Sequence, residues 1–181
     1  MELFEAIKKR RSIRAFKKIP LTKELLYKII EAGRWAPSAG NCQAREIIIV
    51  EDFGFKKELA LAAYSQAFIH EAQVDLVVCA HKFWSSKRYG NRGSSLYCIL
   101  DSAAAIQNIL LAIHALGLGG CCVSAFDEEK VRKILQIPKG IRPIAIIPIG
   151  YPNEKPRQTS RKEFEAFVHL NLYGKKFKNK N

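Results

Sequence analysis

Several common kinds of site are missing from this sequence. The five cysteines show no CxxC spacing and lie mostly in apolar contexts, which excludes a disulfide framework and suggests reduced, buried thiols in a cytoplasmic protein. The four histidines are scattered, and His70-Glu71 lacks the second histidine of a metalloprotease helix, so no metal is implied. There is no Gly-x-Ser-x-Gly elbow and no P-loop. No apolar run reads as long enough to span a bilayer, because Asp101, Gln107, Asn108 and His114 interrupt the one candidate. The opening residues lack the apolar core of a secretory signal. Acidic residues are scarce: 17 Asp and Glu stand against 30 Lys and Arg, a net charge of +13. Such a balance raises nucleic acid as a partner, but it equally suits anionic cofactors and substrates. The aromatic and basic interleaving of an RNA-binding sheet is absent, which disfavours nucleic acid.

At 181 residues, 48% of them hydrophobic, the chain has the size of one domain with a proper core. Residues 2–9 read as a helix with Leu3, Phe4 and Ile7 on one face. Thr22 is placed to cap a second helix, in which Leu25, Leu26, Ile29 and Ile30 form a stripe that Pro37 closes. A strand follows over Glu46–Val50, with a turn around Asp52-Phe53-Gly54. Residues 56–70 suggest a helix broken near Ser65, and Asp75–Ala80 a second strand. The polar stretch 84–95 reads as a loop or the approach to a helix. Ser95–Leu116 is apolar nearly all round and reads as a buried helix in the core or at a subunit interface. Gly117 ends it, Cys121-Cys122-Val123 suggests a strand with both cysteines as buried filler, and Asp127 caps a helix through Leu135. Pro143–Gly150 reads as a last strand, with Pro148 placing it at an edge or marking an irregularity. A polar loop over Tyr151–Ser160, a short helix and a basic tail complete an α+β pattern.

Two segments concentrate chemistry. Arg10-Arg11-Ser12-Ile13-Arg14 puts three guanidinium groups and a hydroxyl into a short span, and arginine forks pair with phosphate. Pro37-Ser38-Ala39-Gly40-Asn41-Cys42-Gln43 sets small residues beside two amides, which can donate and accept toward a planar heterocycle. Together they suggest a nucleotide-like cofactor with the shape of flavin mononucleotide (FMN). Gly117-Leu118-Gly119-Gly120 follows a helix instead of opening one, which is the reverse of a Rossmann fingerprint.

RRSIRAF, RWAPSAGNCQ, Asp101-Ser102-Ala103-Ala104-Ala105-Ile106-Gln107-Asn108 and the later Gly150-Tyr151-Pro152 leading to Arg161 together resemble the nitroreductase family of FMN-dependent oxidoreductases, from Phe4 to about His169. The resemblance implies a three-layer α+β fold with a mainly antiparallel central sheet flanked by helices. It also implies an intertwined homodimer with FMN at the subunit interface. Residues 1–170 would form the single FMN-binding domain and 171–181 a basic tail. Arg10, Ser12 and Arg14, aided by Arg11 and by Arg161, would hold the phosphate and ribityl chain. Pro37, Ser38 and Asn41 of the other subunit would line the ring, with Gly119, Gly120 and Gln66 near it. NADH or NADPH would deliver hydride by a ping-pong scheme to nitroaromatics, quinones or related small-molecule acceptors, and no side chain acts as a catalytic acid, base or nucleophile. A reductive dehalogenase, a flavin-consuming enzyme, and a non-enzymatic basic protein that sequesters FMN or binds nucleic acid are the alternatives. Many relatives have proline and a bulky aromatic where Ala44-Arg45 stands, and tryptophan where Cys122 stands. Arg45 is expected at the surface, the alternative being that it biases the pocket toward anionic acceptors. Trp84 and Tyr89 fall in the segment where relatives vary the cover of the site and read equally as substrate-stacking or core-packing side chains.

Overall fold

A computed structural model describes residues 2–177 of the chain. The first helix, α1 (Leu3–Lys9), leads through an extended segment to a two-residue strand, β1 (Phe16–Lys17), and then to α2 (Lys23–Arg34). Thr22 caps α2 as expected, its hydroxyl accepting from the Leu25 N–H at 3.3 Å. The helix stops at Arg34, three residues short of Pro37. Strand β2 (Arg45–Val50) is followed by α3 (Phe53–Ala62) and α4 (Phe68–Glu71). Asp52-Phe53-Gly54 is therefore a helix start and not a turn: the Asp52 carboxylate accepts from the Phe55 N–H at 3.0 Å. The break expected near Ser65 is present, since Tyr64 and Ser65 both lie at positive φ.

After β3 (Val74–His81), the stretch read as a loop or the approach to a helix forms a helix of its own, α5 (Lys82–Arg92), kinked at Gly90, and a wide π-type turn over Gly93–Tyr97. Its polar composition hid the helix, because only Ser85 and Gly93 are buried and no apolar stripe signals the period. The long helix α6 (Cys98–Ala115) comes next. By length and composition the helical run Lys82–Ala115 would suffice to cross a membrane. Tertiary packing accounts for it instead, with Asp101, Ser102, Ile109 and Ile113 all inside the fold.

Gly117, at φ 75°, ends α6 as a C-cap. Beyond it the sheet is joined only by β4 (Gly119–Gly120) and a single bridge from Val123 to Ile146. Helix α7 (Glu128–Ile134) is capped by Asp127, and β5 (Ile141–Pro152) and α8 (Phe164–Phe167) complete the chain. The expected strand over Cys121–Val123 fails for a reason in β5. Ile146 and Val123 exchange both backbone bonds, so two residues on Pro148 faces the same side without an N–H to give. Pro148 thus marks an irregularity rather than an edge, since β5 lies inside the sheet between β3 and the pair β4 and β1. Positions 178–181 of the expected basic tail lie outside the described residues.

The strand order is β1-β5-β3-β2, with β4 also on β5, and every pairing is antiparallel. Strand β3 is buried on both faces. Its Val77 and Cys79 pack with Leu59, Ile69 and Val131 from α3, α4 and α7. On the other face Leu76 and Val78 pack with Leu26, Ile29, Ile109 and Ile113 from α2 and α6. This is the three-layer α+β arrangement that the sequence implied. Each fully buried Ile or Leu contributes about 1.5–3 kcal/mol relative to exposure.

Candidate functional site

The Arg10–Arg14 segment is extended and sits against β4. The Ile13 N–H donates to the Gly120 carbonyl at 3.1 Å, and Asn153 donates to the Ala15 carbonyl at 2.9 Å. A side chain on Gly119 would meet Ile13 at 2.7 Å, so glycine there is a requirement for seating the loop. Gly120 is nearly as tight, with Ile113 and the Pro148 carbonyl at 3.2 Å. From the far side the Glu154 carboxylate accepts from the backbone N–H groups of Arg14 and Ala15, the latter at 3.1 Å.

That backbone frame directs the side chains. Arg14 is exposed, its guanidinium 5.8 Å over the Phe68 ring. Arg10 and Ser12 are half-buried. Arg11 instead turns back to cap α1, donating to the carbonyls of Lys8 at 2.6 Å and Arg10 at 2.8 Å. His114 closes this corner from the last turn of α6. Burial pushes its pKa down, as do the charges of Arg10 and Arg11, and its Nε2 is buried without a partner. Gln66 lies nearby through Phe68, but its amide is bound to the carbonyls of Ala63 at 2.8 Å and Ala125 at 3.3 Å. Arg161 does not join the cluster: it is exposed and donates to Thr159 and Ser160 in its own loop.

Pro37, Ser38 and Asn41 form a second group. Gly40, Asn41 and Gln43 have φ of 53°, 55° and 49°, left-handed positions on either side of the right-handed Cys42 that are costly for glutamine in particular. Side chains from elsewhere hold this shape. The Ala39 N–H donates to the Asp101 carboxylate at 2.9 Å, and the Ser38 hydroxyl accepts from the Gln43 N–H at 2.9 Å. Arg45 donates to the carbonyls of Arg34 at 2.8 Å and Ala36 at 2.9 Å. Arg45 is therefore not the surface residue expected, because the end of α2 needs a donor beneath it. Burial lowers its pKa against the opposing charge of Asp101, and one nitrogen of Arg45 and one oxygen of Asp101 have no hydrogen-bond partner. A hollow opens between Arg34, Trp35, Pro37, Asn41 and Gln43.

The two groups sit at opposite ends of α6. Asp101 is near its start and His114 near its end, 13 residues apart in the chain, or about 20 Å along the axis at 1.5 Å per residue. Asp101 and Glu154 were not singled out as site residues, and Arg45 was expected at the surface, because only tertiary contacts give the three their roles.

All five cysteines are free. Cys121 is buried but Cys122 is exposed, which corrects its reading as buried filler, and partial burial still raises the pKa of its thiol. Trp84 stacks on His81 at 4.1 Å while 44% exposed, and Tyr89 packs edge-on against Tyr97.

The sequence model of the Nitroreductase family matches residues 7–67 and 52–151. An NADH dehydrogenase of Thermus thermophilus is 32% identical over 88% of this chain and 91% of its own. An FMN reductase [NAD(P)H] of Bacillus subtilis is 30% identical over 95% of this chain and 74% of its own. The solved structure of an NADPH:FMN oxidoreductase from Vibrio harveyi complexed with NAD+ superposes with a TM-score of 0.88 at 29% identity, covering 96% of this chain and 78% of that one.

Proposed function

This chain belongs to the nitroreductase family, and on that premise we propose that it is an FMN-dependent oxidoreductase that takes electrons from NADH or NADPH and passes them to nitroaromatics, quinones or related small acceptors. The observation that carries the reading is the arginine loop itself. Arg10, Ser12 and Arg14 are presented on a strand-like backbone pinned by Gly119, Gly120 and Glu154, while the ion pairs among the described residues use other cations. Donors held in place but not neutralised suit a phosphate. At the other end of α6 the left-handed turn displays the amides of Asn41 and Gln43, which suits the alternating donors and acceptors of a flavin edge.

In this reading Arg10, Ser12 and Arg14 hold the phosphate and ribityl chain, with Arg161 swinging in from its loop, and Arg11 acts through its cap on α1. Pro37, Ser38 and Asn41 line the ring. The separation of the two groups along α6 supports a site built from two chains, the arginine loop of one protomer facing the turn of its partner. An outward stripe on α6, Leu100, Ala103 and Gln107, supports the same homodimer, as does Trp35 at 74% exposed. Bound FMN supplies the hydride chemistry, so donor and acceptor use one place in turn. The protein binds, orients and excludes water, and donors beside the ring stabilise the charge that accumulates there. No side chain is assigned as acid, base or nucleophile.

The test is the visible spectrum of the purified protein with anaerobic NADH and then NADPH. Flavin bands that bleach with either donor are expected. A protein that stays colourless after incubation with FMN, or a bound flavin that neither donor bleaches, overturns the reading.

A further inference from the structure

We propose that the substrate of this site carries an anionic group, a carboxylate or a phosphate, and that Arg88 on α5 binds it; the inference rests on the flavin-dependent reading above. Helix α5 contains Lys82, Lys87, Arg88 and Arg92 and no acidic residue. The ion pairs among the described residues involve other cations, so Lys87, Arg88 and Arg92 face no carboxylate there. Nearby groups of both signs lie close to one another. Arg34 is paired to Glu31 at 2.6 Å, Arg45 faces Asp101, and Glu46 lies 3.5 Å from His81.

What makes this charge relevant to the site is where α5 docks. One Arg88 nitrogen donates to the Gly40 carbonyl at 3.0 Å, at the tip of the turn that lines the ring. A side chain on Gly40 would come within 2.9 Å of the Arg88 guanidinium carbon and would also run into the Tyr89 hydroxyl. Arg88 is exposed as a residue, with its guanidinium 5.6 Å over the Tyr89 ring. Arg92, beyond the kink at Gly90, is held to the Tyr97 hydroxyl at 3.0 Å with its guanidinium 5.4 Å over the ring. Arginine forks bind carboxylate and phosphate in a bidentate manner that lysine does not reproduce. The anion has two possible sources, the acceptor or the nicotinamide donor, and NADPH differs from NADH by one phosphate.

The experiment uses the FMN-loaded protein and follows each half-reaction by anaerobic stopped flow. The oxidative half compares 4-nitrobenzoate with neutral 4-nitrobenzyl alcohol, and the reductive half compares NADPH with NADH. Arg88→Ala is expected to lower one of the two rate ratios, 4-nitrobenzoate over 4-nitrobenzyl alcohol or NADPH over NADH, about tenfold, with Arg88→Lys restoring only part of it. High salt should lower the same ratio in the unaltered protein. A loss in the nitro pair assigns the anion to the acceptor, a loss in the nicotinamide pair assigns it to the donor, and either supports the proposal. Ratios unmoved by both substitution and salt overturn it. Should Arg88→Ala fail to retain flavin, the salt dependence of the unaltered protein decides. Failure of flavin loading or bleaching counts against the proposed function, whereas normal bleaching with unmoved ratios counts against this inference alone.

Discussion

The arginine loop and the Pro37–Asn41 turn are proposed to grip two ends of one cofactor, yet they are held in place by opposite means. Backbone bonds to β4 and the end of β5, a glycine that admits Ile13, and one exposed carboxylate hold the loop. Buried or half-buried charged side chains, Asp101 and Arg45, hold the turn, with Arg88 clamped outside. A loop pinned through its backbone keeps its side chains available for a ligand. A turn whose backbone adopts left-handed conformations must be over-determined by its surroundings. The first region should thus tolerate side-chain changes and lose affinity, while the second should lose shape.

The largest test of that contrast is Asp101→Ala. Removing a buried carboxylate that accepts from the Ala39 N–H leaves that donor unpaired and takes an opposing charge away from the half-buried Arg45. About 3 kcal/mol of stability should be lost, read by urea unfolding. A loss below 1 kcal/mol would show that the turn holds itself. On the other side of the comparison, Arg14→Ala with Arg161→Ala should leave unfolding nearly unchanged and weaken FMN binding by several kcal/mol, since each charge-assisted contact contributes about 1.5–3. Equilibrium dialysis measures this, and full flavin occupancy in the double variant would remove both arginines from the phosphate site.

Asp75 serves as a control between the two regions. It is fully buried in β3 with neither carboxylate oxygen bonded, and burial raises its pKa well above the usual value despite the nearby Lys56. The unfolded chain gives up this proton at a lower pH than the folded one. The group therefore favours folding fully below its unfolded pKa, and that contribution is lost as pH rises through the folded value. Asp75→Asn should raise Tm at pH 7 by a few degrees, with the gain vanishing below about pH 4. A gain independent of pH would contradict the assignment. The smallest effect belongs to Glu154→Gln. Both N–H groups donate to one carboxylate oxygen, so the amide oxygen of glutamine can still accept from both but carries no charge. FMN binding should change by about 1 kcal/mol or less, measured in the same dialysis.

The caps at Thr22 and Asp127, the break near Ser65, the stop at Gly117 and the strands β2, β3 and β5 were legible because each depends on residues close in sequence. Helix α5 was not, since its polar surface lacks a period and its docking depends on Gly40 and Gly93, distant or featureless in the pattern. Pro148 signalled an irregularity, but whether it meant an edge depended on which strands flank β5.

By itself the sequence determined the α+β class and the two chemical motifs, which follow from local preferences and from runs of adjacent residues, and through those motifs a family resemblance that implied the three-layer arrangement. Only the tertiary structure decided how those motifs are used. It turned Arg45 inward, gave the Arg14 and Ala15 N–H groups to Glu154, set Arg88 on Gly40 and put the two motifs at opposite ends of α6. Those outcomes depend on burial and on hydrogen bonds between residues dozens of positions apart. A buried donor or acceptor must find its partner through the finished fold.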